Sequence, residues 1–115
     1  MNIPILAIIL ALLATAGARD PNAVLAGRLI VEPPTLVNLG FEWEISGDAN
    51  RNASVAVRYR EPGAREWKEA LPLLRIGGER IFRVREFLNY TVPDRFAGSI
   101  LDLRPETEYE CTFTM

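Results

Sequence analysis

Two glutamates, Glu42 and Glu44, stand two residues apart in the stretch LVNLGFEWEIS. A pair of carboxylates can hydrolyse a glycosidic bond, one giving a proton and the other acting as base or nucleophile, but only across a cleft at a set separation. Here the two alternate with Phe41, Trp43 and Ile45, so they share the outward face of one strand and read as solubilising charges. Ser46, Ser54 and Ser99 have no base to activate them, because the chain contains no histidine. That absence also removes the commonest metal ligand. Cys111 is a single cysteine, so neither a zinc spacing nor an internal disulfide exists. Its alternation with Tyr109 and Phe113 makes it a small core residue; the alternative for a lone cysteine in a secreted chain is an intermolecular link. Asp48, Asn50 and Asn52 in GDANRN supply oxygens, but too few for a calcium loop, and the segment reads as a solvated turn. Gly77-Gly78 lacks the lysine and hydroxyl of a phosphate-binding loop. The expectation is no catalytic, cofactor-binding or metal-binding residue, and no cofactor.

Binding chemistry is the other possibility. Trp67, Phe82, Phe87 and Tyr90 could form an exposed aromatic surface for a polysaccharide or another domain, though core packing of the long insertion is the simpler account for at least two of them. Asn52-Ala53-Ser54 and Asn89-Tyr90-Thr91 are glycosylation sequons. The 13 basic and 15 acidic residues are interspersed and sum to −2. Such balance excludes the basic footprint of a nucleic-acid binder or of a protein held to an anionic membrane.

None of those 28 charges falls in residues 1–18. The run IPILAIILALLATAGA is apolar, too short to span a bilayer, and closes on small residues, which is the pattern of a secretory signal peptide. Residues 1–18 are therefore assigned as a signal peptide, 19–26 as a flexible lead-in and 27–115 as one domain. The compartment is secreted, periplasmic or cell-surface, with no membrane contact after cleavage.

The elements that would carry these residues are strands. RLIVE stops at Pro33-Pro34, which a central strand cannot hold. Leu39, Phe41, Trp43 and Ile45 alternate with Gly40, Glu42 and Glu44, the period of a half-buried strand. Val55, Val57 and Tyr59 alternate in ASVAVRYRE. EWKEALPLL is a weaker edge strand interrupted by Pro72. Residues 79–94 fit either a strand or a short helix, since Ile81, Val84, Phe87 and Leu88 allow helical spacing. AGSILDL and TEYECTFTM complete about six strands, which argues for an antiparallel β-sandwich.

Leu103, Pro105, Thr107 and Tyr109 form L-x-P-x-T-x-Y. Proline starts a crossing between sheets, and a buried tyrosine reaches back to backbone at the corner, the tyrosine-corner device of Greek-key sandwiches. With Trp43 on the second strand and Tyr59 on the third, the chain resembles the fibronectin type III family over about residues 27–115. The resemblance implies an all-β, immunoglobulin-like sandwich whose structural core includes Trp43, Tyr59, Leu103, Pro105, Thr107, Tyr109 and Cys111, with the last strand missing. A narrower resemblance, through PPTLVNLGFEWEISGDANRNASVAVRYRE, ALPLLRIGGE and RFAGSILDLRPETEYE, is to the leading module of secreted bacterial right-handed parallel β-helix proteins. It implies a non-catalytic spacer or interaction module whose partner is a downstream domain, any activity lying beyond residue 115. The alternatives are a carbohydrate-binding accessory module and a small secreted glycoside hydrolase.

Overall fold

The computed structural model describes residues 7–9 and 19–115. Every regular element among them is a β-strand. The assignment of 1–18 as a leader falls outside the described residues except at Ala7–Ile9, which forms β1.

The remaining strands are β2 (Val24–Val31), β3 (Leu39–Gly47), β4 (Ala56–Arg60), β5 (Lys68–Glu69), β6 (Leu74–Ile76), β7 (Arg80–Arg83), β8 (Leu88–Thr91), β9 (Arg95–Ile100) and β10 (Glu110–Thr114). They form a sheet of order β1-β10-β4-β5, a second of order β2-β3-β9-β6, and a separate hairpin, β7-β8. All pairings are antiparallel except β1 with β10, where Ala7 lies beside Cys111.

The two large sheets bury one core between them. Leu39, Phe41, Trp43 and Ile45 on β3 are buried, while Glu42 and Glu44 between them are half-exposed. Phe96 and Ile100 from β9 join that layer; Val57 from β4 and Cys111 and Phe113 from β10 face it. Phe113 meets Phe41 edge-on at 4.8 Å and Trp43 at 6.5 Å between ring centres. Such edge-to-face pairs add about 0.5–1.5 kcal/mol beyond the area they bury.

Trp43 is completely buried, so its indole N–H needs an acceptor. A β-bulge supplies one. The register of β2 against β3 slips between Ala26 and Leu29, and the Gly27 carbonyl accepts from Trp43 Nε1 at 3.3 Å. A side chain at Gly27 would sit 2.8 Å from the Glu44 carbonyl oxygen, which explains glycine there. The bulge also lets pairing continue back to Val24, opposite Gly47. The last part of the lead-in expected at 19–26 is thus strand.

One open alternative is resolved and one expectation changes. Residues 79–94 contain no helix; four-residue strands β7 and β8 pair from Arg80 with Thr91 to Arg83 with Leu88. Helical spacing of four apolar residues loses to local hairpin geometry, because the Val84-Arg85-Glu86-Phe87 turn closes with a Phe87 N–H to Val84 carbonyl bond of 3.3 Å. EWKEALPLL is not one strand. Lys68–Glu69 pairs with β4, Leu73 bridges to Val55, and Leu74 already pairs with Ala97 of the other sheet. Pro72 lies at that crossing, where a missing N–H costs no ladder bond.

The corner ties the sheets at the opposite end. Leu103 is buried in the loop after β9 and donates its N–H to the Val37 carbonyl at 2.8 Å. Pro105 is exposed, and its carbonyl accepts from the Thr107 hydroxyl at 2.9 Å. Tyr109 is buried against Tyr59, with ring centres 6.0 Å apart, and its hydroxyl accepts from the Arg104 amide at 2.9 Å.

Trp43→Ala is expected to lower stability by about 3–5 kcal/mol, through lost burial and the cavity left behind. Tyr109→Phe is expected to cost about 1–3 kcal/mol by stranding the Arg104 amide. Urea midpoints of the two variants against the parent test both figures.

Candidate functional site

The candidate carboxylates lie on the outer face of the β2-β3-β9-β6 sheet, and each is matched by an arginine. Glu42 accepts from Arg95 at 3.1 Å and Glu44 from Arg28 at 3.1 Å. These are cross-strand pairs from β9 and β2, the arrangement expected of ladder neighbours of opposite charge. Both alternate with the buried Phe41, Trp43 and Ile45, so the outward placement that alternation implied holds.

The four aromatics separate. Trp67 is half-buried after β4, with the Arg60 guanidinium 4.2 Å over its ring. Arg60 is itself held by Glu110 at 2.7 Å, so the indole is capped from that side. Phe82 and Tyr90 are on β7 and β8 and Phe87 is in the turn between them; all three are exposed. Arg80 lies 5.9 Å over the Phe82 ring and donates two bonds to the Asn89 side chain. The sequon at Asn89 thus has its amide oxygen engaged, whereas Asn52 is on an exposed turn.

Among the described residues, two shallow depressions stand out. One, of about 410 Å³, is lined by Arg60, Glu61, Ala64, Glu66, Lys68 and Arg104. Its charges largely cancel, since Arg104 is paired with Glu61 and Arg60 with Glu110. The other, of about 250 Å³, opens between Ala70-Leu71 and Leu101-Asp102, with Glu69 at its margin. Leu71 and Leu101 are exposed there. Among the described residues no cluster of three or more acidic, cysteine or histidine side chains could hold a metal ion, and no helix is long and apolar enough to cross a membrane.

The GDANRN turn differs from its expected solvated form. Asp48 is buried, with its side chain fully out of solvent. One carboxylate oxygen accepts from the Ala53 amide at 3.1 Å and the other from Arg75 Nε at 2.7 Å. Arg75, only 10% exposed, also donates to Asp94 at 3.1 Å and to the Ile76 carbonyl at 2.6 Å. Arg51 donates to the Gly77 carbonyl at 2.5 Å. Gly47 lets the turn dock: its φ is +78°, and a side chain there would overlap the Ala23 carbonyl at 1.9 Å. A turn composition made of Gly, Asp and Asn looks solvated whatever covers it. The overlooked signal was Arg75, a lone charge inside LPLLRIGG.

Burial works against ionisation of Asp48, but the Arg75 hydrogen bond, the Ala53 amide and the Arg75 charge outweigh it. The carboxyl is held below its ordinary value of 3.8. Because the folded value is lowered, the contribution to stability is complete above pH 3.8 and is lost as pH falls through the folded value. Cys111 is fully buried beside Tyr59 on the neighbouring strand, and burial pushes its thiol up to about 12. A protonated thiol is neither a nucleophile nor a ligand.

Asp48→Asn keeps a side chain that tolerates the positive φ of this position. It is expected to cost about 3 kcal/mol near neutral pH by leaving Arg75 short of an anion. The acid limb of stability against pH should then be flatter than the parent's, as measured by urea unfolding at stepped pH. Cys111 is expected to resist a thiol reagent in mildly alkaline buffer while folded and to react stoichiometrically in denaturant. Comparison with protein-family models, with characterised proteins and with solved structures finds no match for this chain.

Proposed function

We propose that the chain is a fibronectin type III-like module that makes contacts and spaces domains, without chemistry of its own, in a larger secreted protein. Strand order supports the type: β2-β3-β9-β6 follows the A-B-E-D order of immunoglobulin-type sandwiches, and adjacent β4 and β10 take the C and F places. So does the corner in which Tyr109 accepts from the Arg104 amide. Secretion rests on the charge-free residues 1–18. The larger-protein context rests on the resemblance to the leading modules of bacterial β-helix proteins, and it implies a following domain as partner.

The observation that carries the contact role is the β7-β8 hairpin. It pairs only with itself among the strands and exposes Phe82, Val84, Phe87, Leu88 and Tyr90. Exposed apolar groups gathered on one projection mark an interaction surface. The carboxylates that hydrolysis would require are instead tied to Arg28 and Arg95 on an outer sheet face.

A second reading, a carbohydrate-binding accessory module, draws on Phe82, Phe87 and Tyr90 together on that hairpin. Two measurements separate the readings. Incubation with glycosides and polysaccharides is expected to release no reducing ends. Release that disappears in a Glu42→Gln/Glu44→Gln double variant would overturn the non-catalytic reading. Affinity electrophoresis on a polysaccharide panel is expected to show no retardation; retardation abolished by Tyr90→Ala would favour the accessory-module reading.

A further inference from the structure

The hairpin tip contains a residue that its own fold does not explain. Phe87 has a φ of +55°, a region that bulky side chains avoid. Holding a residue there is a strain that surrounding packing normally offsets. Phe87 has no such packing, being 95% exposed. Glycine or asparagine would make the same turn at lower cost. A strained aromatic side chain aimed into solvent points to a contact made outside the chain.

Charge identifies what it fits. Residues 80–91 hold Arg80, Arg83 and Arg85 against Glu86, a net charge of +2, which leaves −4 on the remainder of a chain whose total is −2. The strands place Arg83 beside Leu88, and the turn sets Arg85 and Glu86 between Val84 and Phe87. Charges at the very tip oppose insertion into hydrocarbon. They suit a partner surface that is apolar in the middle and acidic at its edge. The 250 Å³ groove has that character. Leu71 and Leu101 line it and are exposed, and Asp102 and Glu69 line it too, Glu69 in an exposed pair with Arg58 at 3.6 Å. Phe87 is 95% exposed, so it does not occupy the groove of its own molecule.

We infer that the hairpin docks into the Leu71–Leu101 groove of a second copy of this chain, Phe87 between the two leucines and the tip arginines toward Asp102 and Glu69. The contact is heterologous: hairpin and groove are different surfaces, so each copy offers one of each and association runs head to tail. This inference rests on the contact role proposed for the hairpin and names its partner.

Sedimentation equilibrium on the full chain tests it. The parent is expected to show a weight-average mass above the monomer, rising with concentration and falling with added salt. Phe87→Asn removes the aromatic ring and relieves the backbone, so its thermal midpoint should equal or exceed the parent's. Leu71→Gln alters the exposed lip of the groove. Each variant alone is expected to self-associate about tenfold more weakly or worse. Mixed, they should recover a dimer of near-parent affinity, because one still supplies the groove and the other the hairpin. A parent that stays monomeric at every concentration overturns the inference. So does undiminished self-association of Phe87→Asn, which would place the contact elsewhere, for instance along a strand edge. A mixture no tighter than its components also overturns it. None of these outcomes bears on the polysaccharide and glycoside measurements, which decide the contact role separately.

Discussion

The ion-pair network around Arg75 ties the turn after β3 to the ends of β6 and β9, strands that share one sheet. Asp48 belongs to the turn after β3, Arg75 to β6 and Asp94 to the link into β9. The same turn receives the segment before β2, through bonds from the Asp48 and Ala49 amides to the carbonyls of Ala23 and Pro21 at 3.1 and 3.0 Å. One end of the sandwich is thereby closed around a buried carboxylate. A buried charge pair contributes little net stability compared with an apolar replacement, but breaking it is costly because one charge is left alone. Its consequence here is geometric. The network sets where β6 leaves and where β9 begins, and so where the β7-β8 hairpin between them is launched.

Between the ends, aromatic packing takes over. Trp43, Phe41 and Phe113 interlock across the two sheets, and the bulge at Gly27 satisfies the indole that this packing buries. The Tyr109 corner closes the other end with the same logic, a polar atom on a buried ring given one backbone partner. Each aromatic anchor thus comes with a local backbone adjustment, and a core of this kind tolerates changes of surface charge far better than changes of shape.

The outer surfaces divide the labour. The face with Glu42 and Glu44 carries an arginine partner for each, the Glu42–Arg95 pair being partly buried. Exposed apolar side chains are most numerous on the hairpin, with others at Leu71 and Leu101 and at Leu25, Val31, Leu36 and Leu74. An isolated two-stranded hairpin is marginal in water by itself, and this one is anchored at its base, where backbone bonds join Gly78 and Glu79 to Val92 next to the Arg75 network.

Period-2 alternation let the sequence alone determine that the chain is built of strands and that Leu39, Phe41, Trp43 and Ile45 share one face, because alternation is a local property of extended backbone. It likewise determined the outward placement of Glu42 and Glu44, and it indicated the corner from the spacing of Leu103, Pro105 and Tyr109. Three things were decided by tertiary structure. Asp48 is buried because Arg75, 27 residues away, reaches it, and no local composition encodes that distance. EWKEALPLL divides between sheets because Val55 and Ala97 compete for its two halves. Residues 80–91 form a hairpin rather than a helix because their ends are joined by backbone bonds, Gly78 N–H to the Val92 carbonyl and Val92 N–H to the Glu79 carbonyl at 2.8 Å each, while the turn at 84–87 closes the other end. Apolar spacing was ambiguous there, and strand pairing resolved it.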